Sequence, residues 1–160
     1  MSQLTQTSVI QQLQPVVTVL QEALGDDLVA LVLFGSRACG DATPDSDWDV
    51  LLLAHNLPER PFPRHRYLQK LLPPPWRTQI SLLAKTLAEF ETAVPPLFLD
   101  IALDGIILYD PDHYAANRLA YLHKLLQTKG LFRRQQGKEM IWLWQSFPGL
   151  NWQITWEETA

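Results

Sequence analysis

The chain has one cysteine, Cys39, among its 160 residues, so no internal disulfide can brace it. A reducing cytosol is the simplest home for such a sequence. Long apolar runs are missing too; none approaches the roughly 20 residues of a membrane-spanning helix. The N-terminus, MSQLTQTSV, has neither the basic start nor the apolar centre of a secretory signal. A basic surplus is also lacking: 13 Lys and Arg stand against 17 Asp and Glu, a net charge of −4. That balance argues against a general nucleic-acid binder but leaves room for a local basic patch. The four histidines are scattered, with no zinc-like spacing to one another or to Cys39. Repeats and low-complexity tracts are absent.

What is present is a globular composition, 47% hydrophobic and 19% charged, on a chain long enough to bury a core. The densest signal is Leu31–Ala54, LVLFGSRACGDATPDSDWDVLLLA. Two short apolar runs bounded by Gly, Pro, Asp and Ser read as buried strands, Leu28–Phe34 and Trp48–Ala54. Upstream, Ile10, Leu13, Val17, Leu20 and Leu24 recur at helical spacing, which predicts a helix over 7–24 that Gly25 ends and Pro15 interrupts. Downstream, a connection over Leu57–Pro63 leads to a short helix at Arg64–Leu72. Its charges Arg64, His65, Arg66 and Lys70 read as a solvated face, or as a patch that steers a triphosphate. Arg77–Ala84 reads as a third strand. Thr86 and Glu89 match a capping box. LFLDIALD after Pro95-Pro96 reads as a helical turn or two, and GIILYD as a further strand. Asp110 or Asp112 then starts a helix that buries Ala115, Leu119, Leu122 and Leu126 and stops at Gly130. The tail, 131–160, holds four of the six tryptophans, Trp142, Trp144, Trp152 and Trp156. Its spacing suggests two extended segments around Phe147-Pro148-Gly149. The organisation is a core over 1–130 with an appended segment over 131–160 on the same domain.

The chemistry sits between the first two strands. Residues two apart on a strand point the same way, so Asp47 and Asp49 present two carboxylates on one face. At a separation of about 6 Å and an effective dielectric of about 20, they repel by on the order of 3 kcal/mol. A cation relieves that repulsion. Mg²⁺ suits it, because it takes one or two protein carboxylates and completes its shell with water and phosphate oxygens. Gly35 permits a tight turn, and the turn's N–H groups with the Ser36 hydroxyl can cradle phosphates. A phosphate cradle facing a metal-binding pair suits nucleotidyl transfer.

These residues, Gly35-Ser36, ten residues, Asp47-Trp48-Asp49, resemble the signature of the DNA polymerase beta nucleotidyltransferase superfamily. Gly35-Ser36-Arg37-Ala38-Cys39-Gly40 with Ser46-Asp47-Trp48-Asp49 is most similar to its minimal nucleotidyltransferase (MNT) family, with Cys39 where Arg is common. The resemblance implies an α/β nucleotidyltransferase fold, a mixed twisted sheet with helices packed mainly on one face, plus the Trp-rich extension. It implies Mg²⁺-dependent transfer of AMP from ATP to a hydroxyl on a partner protein, with a HEPN-domain RNase toxin as partner. Asp47 and Asp49 would hold the metal, and Gly35 and Ser36 the phosphates. Active relatives use a third acid on a later strand, where this chain has Ser81; Asp100, then Asp104, are the next candidates. If none serves, the alternative is a catalytically weak or inactive module that binds nucleotide or partner and inhibits by occlusion.

Overall fold

A computed structural model describes residues 3–157. Its centre is a four-stranded sheet of order β3-β2-β1-β4, with β1 Leu28–Phe34, β2 Trp48–Ala54, β3 Ile80–Thr86 and β4 Ile106–Tyr109. The first two strands coincide with the segments predicted from the sequence. β1 pairs antiparallel with β2 and β4, while β2 and β3 run parallel. The parallel pair needs a crossover, and α3 (Pro61–Leu71) supplies it.

Helices cover both faces of the sheet rather than mainly one. Leu31 and Leu33 of β1 and Val50 and Leu52 of β2 meet Leu13, Val17 and Leu20 of α1 (Gln3–Leu24) and Leu68 of α3. Their alternating neighbours Ala30, Val32, Leu51 and Leu53 meet Phe98 and Ile101 of α5 (Pro96–Asp104) and Leu119 and Leu122 of α6 (Tyr114–Lys129). A strand buried on both sides is apolar at every position, which is why LVLF and VLLLA show no polar alternation.

α1 starts four residues before its expected first residue; Thr5 and Gln6, just ahead of that residue, are exposed and add no apolar rhythm. Pro15 lies on its exposed side, so the lost hydrogen bond faces water. α3 begins at Pro61, a favoured first-turn residue, rather than at Arg64. This places Arg64 inside the helix, where its guanidinium reaches the Pro58 and Ala84 carbonyls and pairs with both Glu89 oxygens. Arg64 therefore departs from the reading of a solvated basic face. β3 begins at Ile80, three residues later than expected, since Arg77 still belongs to a turn in which its N–H donates to Pro74 O. Thr86 and Glu89 form the anticipated capping box on α4 (Leu87–Phe90). α6 starts at Tyr114, not at Asp110 or Asp112; the Asp110 carboxylate reaches forward to accept from the Ala115 and Ala116 N–H groups at 3.2 and 2.8 Å.

The tail departs most from expectation. Its hairpin is β5 (Leu131–Gln136) with β6 (Glu139–Trp144), turning at Gly137-Lys138 with Gly137 at φ +63°. The described residues beyond Phe147-Pro148-Gly149 form no strand. They lay Ile154 and Trp156 on the α5–α6 face, where the Trp156 indole N–H donates to Phe90 O at 2.9 Å. Among the described residues no helix is long and apolar enough to cross a membrane.

Candidate active site

β1 ends at Phe34, and the next residue turns the chain. Gly35 sits at φ +72° and caps α2, a single turn over Ser36–Cys39. Its lack of a side chain is required twice. The backbone is in a region that L residues avoid, and a Cβ built there would lie 2.3 Å from Asp49 Oδ2. The β1–β2 register explains the closeness, since Phe34 stands opposite Asp49. The turn and the carboxylate thus share one small volume, and the first N–H groups of a helix, which have no intrahelical acceptor, open beside it.

Asp47 and Asp49 flank the buried Trp48, as a strand's alternation demands. Asp47 is exposed and Asp49 half-buried. Burial pushes the Asp49 carboxyl above its usual range, the neighbouring charge of Asp47 pushes it further, and a hydrogen bond from the Ser81 hydroxyl pulls it back. Ser81 stands directly opposite Asp49 across the parallel β2–β3 pair. It is the residue at the position where a third acid was sought, and it acts as a hydrogen-bond donor to the second.

One contributor had no role assigned from the sequence. Arg37, on α2, reaches across the 41–47 loop. Its Nε and Nη2 donate to Ser46 O at 3.1 and 2.8 Å, and Nη2 also to Pro44 O at 3.3 Å. The guanidinium carbon lies 4.4 Å from the centroid of the Trp48 ring. Arg37 therefore grips both the residue before Asp47 and the residue between the two carboxylates. The spacing Arg37…Trp48 was visible in the sequence, but nothing local says that the loop folds back over it.

Asp100 is not brought to this pair. It lies on α5 one turn before Asp104, and both face Arg133 of β5, at 3.0 Å from Asp100 and 2.7 and 3.0 Å from Asp104. The expectation that Asp100 completes the site gives way to an ion-pair cluster that ties the hairpin to α5. Among the described residues, no three His, Cys, Asp or Glu side chains gather closely enough to hold a metal ion. Cys39 is exposed overall, yet its sulfur rests near Ser36 O and Asp41 Oδ2, at 3.7 and 3.3 Å. Partial desolvation above all, with the charge of Asp41 and Asp104, pushes the thiol up and keeps it protonated.

The donor set fits a magnesium ion that brings most of its own shell: two carboxylates on one side, phosphate oxygens and water on the other. The cradle that a Cβ at Gly35 would fill supports that fit.

Comparison with known proteins agrees with this geometry. The family model described as "Nucleotidyltransferase domain" matches residues 16–154. The Methanocaldococcus jannaschii protein named "Putative protein adenylyltransferase MJ1305" is 32% identical over 111 residues, covering 67% of this chain and 76% of its own. Two solved structures share the fold. A chain in the crystal structure of a toxin–antitoxin with AMP-PNP superposes with a TM-score of 0.53 at 18% identity, covering 71% of this chain and 86% of that one. A chain of a mutant MntA-HpeT toxin–antitoxin does so with a TM-score of 0.51 at 17% identity, covering 71% and 85%. The family match takes in the turn, both carboxylates and every strand of the sheet, and this chain belongs to the nucleotidyltransferase domain family.

Proposed function

We propose that this chain moves AMP from ATP to a hydroxyl on a partner protein and acts as the antitoxin of a HEPN-domain toxin. The observation that carries the reading is the closeness of the Gly35 turn to Asp49: a Cβ at Gly35 would run into that carboxylate, so the turn and a member of the aspartate pair share one place. The adenylyltransferase name of the archaeal relative and the toxin–antitoxin assemblies of the structural neighbours support the acceptor and the partner.

In this reading Gly35 and Ser36 hold the triphosphate, and Asp47 and Asp49 hold Mg²⁺. When bound, the ion supplies charge neutralisation on the phosphates and polarises the α-phosphorus. The chain's own residues do the positioning. Ser81 orients the Asp49 carboxylate, and Arg37 fixes the loop that presents Asp47. The acceptor oxygen forms a bond to the α-phosphorus, the bond to the β-phosphate oxygen breaks, pyrophosphate leaves, and the hydroxyl proton passes to solvent. The single cysteine supports a cytoplasmic setting. Residues 131–160 serve as an extension that Arg133 and Trp156 fasten to the 1–130 domain.

A second reading has one observation in its favour. With Ser81 opposite Asp49 and Asp100 held by Arg133, no third acid among the described residues joins the pair to take the proton, so binding survives better than turnover. The chain would then inhibit its partner by occlusion. Incubation with labelled ATP, Mg²⁺ and the product of the neighbouring gene separates the two. Label on the partner that disappears with Asp47→Asn supports transfer. Absence of label, with the partner still inhibited by Asp49→Asn, supports occlusion.

A further inference from the structure

The sheet has two outer strands, and they are finished differently. β4 is four residues long, a length that offers little to a foreign strand. β3 has seven residues. Three hydrogen bonds fix which of its backbone groups face outward. Gln79 O accepts from Trp48 N–H and so faces β2. Ala84 O accepts from Arg64, and Thr86 N–H donates to Glu89, so both face away. Alternation then turns the N–H and C=O groups of Ile80 and Leu82 outward, with the Ala84 N–H. Among the described residues these groups have no partner. Arg64 and Glu89 blunt the far half of the edge. The half beside Ser81 and Asp49 is left bare.

A groove lies on each side of this bare stretch. On the α3 side, Pro61, His65, Leu68 and Gln69 with Leu82 and Ala84 enclose about 250 Å³. On the opposite face, Pro95, Leu97 and Phe98 with Thr92 enclose about 380 Å³. Leu83 and Lys85 line both. An extended chain laid along β3 sends successive side chains to opposite faces, one set into each groove. Outward backbone donors and acceptors in strand register, with a groove above and below, match an extended polypeptide and not a compact ligand.

We propose that the β3 edge is the acceptor dock: an extended segment of the acceptor protein adds as a fifth strand beside Ile80–Ala84. This rests on the reading of a protein acceptor. The segment's hydroxyl residue lies on the Ser81 face, which is also the Asp49 face. Lys85 lies four residues from Ser81 on that same face, so the segment carries an acidic residue four positions from its hydroxyl. Arg64 adds no demand for acid, because Glu89 already neutralises it.

The test uses the full chain, residue-resolved amide exchange, and short unstructured peptides bearing Tyr or Ser with Asp four positions away. In the chain alone, the Ile80, Leu82 and Ala84 amides exchange faster than those of Ser81 and Leu83. Added peptide slows the first set. N-methylation of alternate peptide residues weakens binding about tenfold in one register and little in the other. His65→Trp and Leu97→Trp, which fill one groove each, weaken peptide binding and leave ATP binding unchanged. The proposal is overturned if the two N-methyl registers bind alike. It is also overturned if these amides stay unprotected while the acceptor protein is being labelled, or if concentrated chain alone protects them by pairing edge to edge. Because the readout is binding, absent AMP transfer with intact protection counts against the enzymatic reading only.

Discussion

Two pairs of aspartates in this molecule make an instructive contrast. Asp47 and Asp49 share a strand face, and Asp100 and Asp104 share a helix face. Both arrangements bring like charges together, and the fold treats them in opposite ways. The helical pair receives a guanidinium, Arg133, which hydrogen-bonds to both and whose own proton affinity is raised mainly by Asp104. Among the described residues the strand pair receives no cationic side chain. Its one protein relief is a neutral hydroxyl from Ser81, and the Asp49 carboxyl stays pushed up by burial and by Asp47. A satisfied pair is a fastening. An unsatisfied pair next to a glycine turn is a place where a cation and phosphates are expected.

The contrast breaks most sharply in activity. Asp49→Asn and Asp47→Asn should each lower AMP transfer about a thousandfold, near 4 kcal/mol of transition-state stabilisation. Asp100→Asn should stay within about threefold, since its carboxylate meets Arg133 and not the pair. Labelled-ATP transfer at fixed partner concentration measures both. A loss with Asp100→Asn as large as with Asp49→Asn would mean that the two pairs work as one site.

Stability inverts the order. Arg133→Met keeps an apolar stem and removes the guanidinium that pairs with Asp100 and Asp104, which should cost about 2 kcal/mol in urea unfolding. Nucleotide affinity should hold, because this cluster fastens the hairpin rather than the turn. A smaller effect, about tenfold in kcat, is expected for Arg37→Met. The methionine still packs on Trp48 but drops the bonds to Ser46 and Pro44. The melting temperature should barely move, which separates a positioning role from a folding one. A tenfold rise in the KM for ATP with kcat unchanged would instead make Arg37 a ligand of the substrate.

The same contrast explains what could be read from the sequence. β1 and β2 were legible to the residue because continuous apolar runs end at turn formers. The Thr86–Glu89 box and the Ala115–Leu126 stripe were legible because their partners lie within one or two helical turns. Asp100 was misplaced because its partner Arg133 is 33 residues away and no local pattern joins them. β5 was missed because Arg134, Gln135 and Gln136 are exposed and give it no buried alternation, whereas the extended segment expected at 141–144 forms part of β6. At the turn, spacing brought Gly35, Ser36, Asp47 and Asp49 into one stretch. That a Cβ on Gly35 would displace Asp49 depends on strand register, which spacing does not carry.

The smallest effects are in the pH dependence, and they have opposite signs. Arg64 holds Glu89 at about 2, below the ordinary 4.5. A folded value below the unfolded one means that Glu89 adds stability above pH 4.5, and that this is lost as pH falls toward 2. The Glu89 side chain is 39% exposed, so solvent screening keeps its share under about 1 kcal/mol. Asp49 runs the other way. Its folded value lies above the unfolded 3.8, so its contribution is present below that pH and lost as pH rises through the folded value. At neutral pH the ionised Asp49 therefore lowers stability. Asp49→Asn should raise the melting temperature at pH 7 by about two degrees even as transfer collapses, and Glu89→Gln should lower it by a similar amount. Both differences should shrink at pH 3. If Asp49→Asn lowers the melting temperature at pH 7, its carboxylate is a structural support of the same kind as Asp100, and the distinction between the two aspartate pairs fails.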